Sequence, residues 1–139
     1  MCGILFYKGS KLEERQFKIA SNSMHHRGPD SLGFYKQDDV ILSHNRLSII
    51  DISERSNQPF KIEDYIIIFN GEIYNYKELI KDHDLKVKTS SDTEVLLLMF
   101  IKYSEKCLDF LNGMFSFVIY KTTTKDFFIA RDRLGIKPL

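Results

Sequence analysis

At 139 residues the chain has the length of one domain, enough to bury a core without disulfide or metal staples. Its net charge of +1, from 20 basic and 19 acidic residues mixed along the sequence, offers no steering toward nucleic acid or an anionic membrane. No apolar run approaches the ~18 residues of a membrane span, and Cys2–Tyr7 meets Lys8 and Lys11 too soon to be a secretion signal. Two cysteines, Cys2 and Cys107, could pair but read better as reduced thiols of a cytoplasmic protein, with Cys107 a small buried hydrophobe. Eleven Phe and seven Tyr without a Trp suggest a thick, sheet-rich core.

Ile4–Tyr7 reads as a short strand ended by Gly9-Ser10. Lys11–Ser23 is then a weakly amphipathic helix, with Leu12, Phe17, Ile19 and Ala20 on a charged background. The segment His25-His26-Arg27-Gly28-Pro29-Asp30 is a breaker-rich loop. Gly33–Tyr35 and Val40–Asn45 read as strands joined by the polar turn Lys36–Asp39, Leu47–Ile50 continues extended, and Asp51–Pro59 is polar loop. Tyr65–Phe69 is apolar at every position, as expected of a strand covered on both faces.

A helix is predicted with Asn75 as N-cap and Glu78 three residues on, close to a capping box. A second, with Ser91 as cap and Glu94 completing a box, leads into Val95–Ile101. Ser104–Leu111 reads as a short helix ending at Asn112-Gly113. Met114–Tyr120 and Phe127–Arg131 form an antiparallel hairpin about the turn Lys121–Asp126. The sequence stops at Leu139 straight after a strand, which reads as a truncation inside a larger domain.

Cys2 would become the amino-terminal residue on removal of Met1. An α-amine has a reference pKa near ~7.8 and a thiol near ~8.5, so the amine could take the thiol proton at neutral pH and return it to a leaving group. Alone, a cysteine in second place is more often a chance small residue. Its companion segments change that weighting. They are Met1-Cys2-Gly3-Ile4, His26-Arg27-Gly28-Pro29-Asp30, Arg46-Leu47-Ser48-Ile49-Ile50-Asp51, Phe69-Asn70-Gly71-Glu72-Ile73-Tyr74-Asn75 and Ser91-Asp92-Thr93-Glu94-Val95-Leu96. Leu111–Ile119 and Arg131-Asp132-Arg133-Leu134-Gly135-Ile136-Lys137-Pro138-Leu139 complete the series.

In this order they resemble the glutaminase domain of glutamine-hydrolysing asparagine synthetases, which are class II glutamine amidotransferases with an N-terminal nucleophile. The resemblance runs from the first residue to the last. It implies an α+β fold, the four-layer α/β/β/α sandwich of N-terminal nucleophile hydrolases with antiparallel sheets, incomplete at its C-terminal end.

The resemblance also assigns roles. Cys2 becomes the nucleophile. Arg46, otherwise a strand-end arginine, grips the α-carboxylate of glutamine bidentately, with backbone groups around Leu47 and Ile49 finishing the pocket. Asn70-Gly71 is the strongest short signal of a hairpin turn, yet the residues after Gly71 run into a helix rather than a returning strand. The resemblance makes Asn70 Nδ2 and the Gly71 N–H the oxyanion donors. Glu72 and Asp92 would hold the α-ammonium, although Glu72 also reads as a loop charge and Asp92 as a helix-first-turn acid. His25, His26, His44 and His83 lack the spacing of a zinc site and are assigned no catalysis. His26 supports its loop, with Arg27 and Asp30 available to pair and Gly28-Pro29 fixing the turn.

All seven glycines are isolated and no phosphate-cradling loop is present, so no cofactor is expected for this chain. By resemblance, ATP and Mg belong to a synthetase domain that would receive the ammonia, and that domain and glutamine are the expected partners. Nucleic acid and membrane are not. An uncovered strand edge would favour a homo-dimer. Two alternatives stand beside this reading: the glutaminase part of a paralogue amidating a sugar or cell-surface intermediate, and a catalytically silent glutamine-binding fragment.

Overall fold

The computed structural model describes residues 2–139. Two antiparallel sheets face each other. The first takes β1 (Gly3–Lys8), β3 (Val40–Arg46) and β2 (Ser31–Gln37) in the order β1-β3-β2. The second takes β4 (Phe60–Ile62), β5 (Tyr65–Ile73), β6 (Gly113–Lys121) and β7 (Asp126–Arg131) in sequence order. Helix α1 (Glu14–Ser23) covers the outer face of the first sheet, with Phe17 edge-on to Phe34 and Ser21 Oγ donating to Ser43 Oγ at 2.8 Å. Helices α2 (Tyr76–Asp82) and α3 (Asp92–Tyr103) cover the outer face of the second. The molecule is therefore an α+β sandwich with antiparallel sheets.

Alternation along the strands builds two cores. Val40 and Leu42 of β3 meet Ile66, Ile68, Val118 and Tyr120 between the sheets. The intervening residues Ile67, Phe69, Phe117 and Ile119 point the other way, onto Val95, Leu96 and Met99 of α3. This two-sided burial is why Tyr65–Phe69 carries no polar alternation. Cys107 is buried in the outer core, and desolvation pushes its thiol up to about 12.

Several elements differ from the sequence reading. Helix α1 begins only at Glu14, and Gln16 Oε1 caps the Glu13 N–H at 3.2 Å. Residues His25–Arg27, Glu54–Ser56 and Ser104–Asp109 are 3₁₀ turns, and β4 lies in a stretch with no strand expected. Asn75 does precede α2, but its side chain leaves the helix end. Its Oδ1 accepts from Asn112 N and its Nδ2 donates to Phe110 O, both at 2.9 Å. Ser91 caps α3 by accepting from Thr93 N at 3.2 Å, while Glu94 does not close the box. Its carboxylate takes the amides of Lys88 and Thr89 instead, ordering the segment before the helix.

The most consequential difference is in β5. A turn at Asn70-Gly71 is predicted, yet the strand continues to Ile73, pairing Asn70 with Ser116, Gly71 with Phe115 and Glu72 with Met114. The tight turn signal is overridden by the ladder, because β6 runs so close at Gly71 that a Cβ there would lie 2.3 Å from the Met114 carbonyl oxygen. Glycine is needed for that close approach rather than for a turn.

Candidate active site

A cavity of about 130 Å³ opens where β1 begins and β3 and β5 end, beside the start of α3. Cys2, Arg46, Leu47, Ile49, Asn70, Gly71, Glu72 and Asp92 all line it. The eight residues to which the resemblance gives a catalytic or substrate-binding role are thus brought to one place, from segments spread between positions 2 and 92.

Cys2 stands just before β1, and its Sγ lies against the Leu47 backbone, accepting from the N–H at 3.4 Å and 3.8 Å from the carbonyl oxygen. Arg27 Nε donates to the Cys2 carbonyl at 3.1 Å. Asp30 accepts the Ser48 N–H at 2.7 Å, and its own N–H donates to Arg46 O. Arg27 and Asp30 thus brace Cys2 and the 46–48 segment, and His26 Nδ1 lies 3.1 Å from Ser23 O. Met1, whose removal would expose the Cys2 amine, lies outside the described residues.

Arg46 ends β3 and is only 6% exposed. Its Nη1 donates to Ser53 O at 3.0 Å and Asn57 Oδ1 at 2.7 Å, and its Nη2 to the carbonyls of Ile50 and Asp51. The guanidinium therefore pins the 50–57 loop, and among the described residues Nε is the donor left over. A two-pronged grip on a carboxylate requires loop carbonyls to give way. The same loop is latched to the approach to α3, since Asp51 Oδ2 accepts from Ser90 N at 2.8 Å and Ser90 Oγ at 3.1 Å. Hydrogen bonds from Ser53 and then Ser90 hold the Asp51 carboxyl well below the usual carboxylate range. Ile49, by contrast, is 71% exposed at the rim.

Ladder parity decides what Gly71 can do. In an antiparallel pair, alternate residues direct their N–H groups toward and away from the partner strand. The Phe69 N–H goes to Gln58 Oε1 at 2.6 Å and the Ile73 N–H to Asp92 Oδ2 at 3.0 Å, both away from β6. Gly71, midway between them, has the same parity, so its N–H also faces away from β6, on the side where the cavity opens. Asn70 presents its side chain to the opposite face of the strand, next to Cys2 across the sheet interface.

Asp92 is 5% exposed, and burial together with the adjacent Glu72 charge pushes its carboxyl up to about 6, against the pull of the Ile73 and Thr93 amides. The Glu72 carboxylate has no hydrogen-bond partner among the described residues. Two carboxylates lining a small cavity, one of them hard to ionise, make a place where a cation is favoured.

His44, Gln58, Thr93 and Lys137 also line the cavity, although the sequence reading gives none of them a role there. His44 is wholly buried. Its Nε2 bonds Phe69 O at 3.0 Å, and burial pushes it down to about 4, so it is neutral with Nε2 as the donor. Lys137 arrives because Asp132 accepts the amides of Ile136 and Lys137 and so folds the terminal segment back.

The family model of the glutamine amidotransferase domain matches residues 1–139. The chain belongs to this family. Among curated relatives, this amidotransferase domain is 41% identical to an asparagine synthetase [glutamine-hydrolyzing] of Zea mays, with all of the chain and 25% of the relative covered. It is 45% identical to asparagine synthetase [glutamine-hydrolyzing] 1 of Bacillus subtilis (strain 168), covering 91% of the chain and 21% of that protein. The domain spans about a quarter of the length of the curated relatives it matches. No helix among the described residues is long and apolar enough to cross a membrane.

Proposed function

We propose that this domain hydrolyses glutamine to glutamate and ammonia through a γ-glutamyl thioester on Cys2. The observation that carries the reading is the convergence of Cys2, Asn70-Gly71, Arg46, Glu72 and Asp92 on one cavity. Once Met1 is removed, the Cys2 amine accepts the thiol proton and the thiolate attacks the δ-carboxamide carbon. Charge on the carbonyl oxygen is met by Asn70 Nδ2 and by the Gly71 N–H, which ladder parity turns away from β6. The amine's proton passes to the departing ammonia. Water, deprotonated by the same amine, then cleaves the thioester to glutamate and restores the thiol.

Arg46 receives the α-carboxylate as the 50–57 loop rearranges, and the Glu72–Asp92 pair receives the α-ammonium. We read the layering as that of the N-terminal nucleophile hydrolases. By similarity to the asparagine synthetases, the ammonia serves an ATP-dependent synthetase domain of a longer parent protein that makes asparagine. Glutamate release from glutamine by chain with a free Cys2 amine, abolished in Cys2→Ala and in chain retaining Met1, is the expected result. Equal release by Cys2→Ala would overturn the proposal.

A further inference from the structure

The stretch of β5 that carries Asn70 and Gly71 has outrun its neighbour. Strand β4 pairs with β5 only from Tyr65 to Ile67, so beyond that point the main-chain groups facing away from β6 have no strand to meet. Side chains substitute for the missing ladder. Gln58 Oε1 accepts the Phe69 N–H at 2.6 Å and His44 Nε2 donates to the Phe69 carbonyl at 3.0 Å, clamping the two peptides that flank Phe69, the second of which leads into Asn70. The amide of Gln58 can only be oriented one way there, because a backbone N–H only donates. That orientation turns Nε2 to Thr93 Oγ1 at 3.1 Å, in the first turn of α3 beside Asp92.

Gln58 itself cannot wander. It is buried, and its backbone carbonyl presses on Gly33 of β2, where a Cβ would lie 1.6 Å from it. One residue thus touches both sheets and α3. With the Asp92–Ile73 bond on the far side, it brackets the Gly71 N–H between two fixed points.

We infer that Gln58 is a positioning residue for glutamine hydrolysis: its side-chain amide sets the placement of Asn70 and Gly71 relative to Cys2 and ties it to that of Asp92. This rests on the functional reading above. An oxyanion donor contributes only when it lies at hydrogen-bond distance from the developing charge, and misplacement by about 1 Å costs on the order of 10²-fold in rate. Loss of the Gln58 acceptor leaves the Phe69 N–H buried without a partner, and relief of that penalty pulls the strand out of register with the thiol.

The test compares wild-type chain carrying a free Cys2 amine with Gln58→Met, Gln58→Glu and Thr93→Val. The readouts are kcat and KM for glutamate release, and the rate of Cys2 alkylation by iodoacetamide, which needs the thiol but no oxyanion donor. Gln58→Met should lower kcat about 10- to 100-fold, with KM changed by less than about threefold and alkylation unchanged. Gln58→Glu, which keeps an acceptor for Phe69, should recover at least about a third of wild-type kcat. Thr93→Val, which removes only the outer partner, should fall between them and decides the matter if Gln58→Met does not fold. Wild-type kcat in the folded Met and Val variants, or alkylation slowed in proportion to kcat, overturns the proposal. Absence of glutamate release from the wild type overturns the functional reading itself, and this inference with it.

Discussion

The Asp92 carboxylate accepts the Ile73 backbone N–H at 3.0 Å, so the first residue of α3 is fastened to the strand that presents Asn70 and Gly71. One side chain thereby joins the part of the cavity suited to an ammonium with the part suited to an oxyanion. The fastening uses a carboxylate where a neutral acceptor would serve the fold better, which makes Asp92 a residue kept against stability.

Asp92→Asn should therefore stabilise the fold while abolishing glutamate release. The amide oxygen can still accept from Ile73, the desolvated charge is gone, and so is the attraction for an α-ammonium. With the carboxyl raised to about 6, the gain is on the order of 3 kcal/mol at neutral pH. Thermal unfolding at pH 7.5 and a glutaminase assay check it; a lower Tm with retained activity contradicts it.

Acid stability should show two opposing contributions. The raised Asp92 carboxyl favours the fold below its ordinary value of 3.8, and this is lost as pH rises through about 6. The depressed His44 favours the fold above its ordinary 6.5, and this is lost as pH falls through about 4. Between pH 6 and 4 the two nearly offset one another. Denaturant unfolding across that window should thus be almost flat for the wild type with respect to this pair. In Asp92→Asn the His44 loss stands uncompensated, and stability should fall by on the order of 3 kcal/mol over the same range.

Arg46→Lys should raise KM for glutamine by at least about 100-fold and open the 47–57 loop to limited proteolysis. A single ammonium cannot replace a guanidinium that holds Ser53 O, Asn57 Oδ1 and two further carbonyls and, on the proposed reading, exchanges some of them for the glutamine α-carboxylate. A proteolysis pattern like that of the wild type would show that the loop is held by something else.

The Asp51–Ser90 latch should appear as coupling. Asp51→Ala should raise KM about tenfold, Ser90→Ala less, and the double variant no more than Asp51→Ala alone, since both remove the same contact. Additive changes in KM would mean that the two residues act separately.

How far the site was legible beforehand depends on the chemistry. Cys2, Arg46, Asp92 and the Asn70-Gly71 pair each read locally as ordinary residues, and they could be singled out because the order of their segments resembles a known family. Gln58 and His44 could not. Gln58 sits in a polar run that resembles any loop, and its partners Phe69 and Thr93 are 11 and 35 residues away. His44 shows nothing locally of the carbonyl 25 residues on that fixes its tautomer. The altered caps have two origins: Asn75 and Glu94 have the right spacing to close helix ends, but the distant Asn112 amide takes the Asn75 side chain, and the nearby Lys88 and Thr89 amides, just before the helix, take the Glu94 carboxylate. The extension of β5 through Asn70-Gly71 likewise depends on β6, a strand far downstream in the chain.

Whether Cys2 carries the glutamyl group can be seen without inference by acid-quenched single-turnover mass analysis. Chain with a free Cys2 amine is mixed with less than one equivalent of glutamine, quenched within its first turnover and digested. The expected result is a γ-glutamyl group on the amino-terminal peptide, located on Cys2, that decays as glutamate appears and is absent from chain retaining Met1. Glutamate formed at the wild-type rate with no such adduct at any quench time, or an adduct that persists in Cys2→Ala, would contradict a thioester on Cys2.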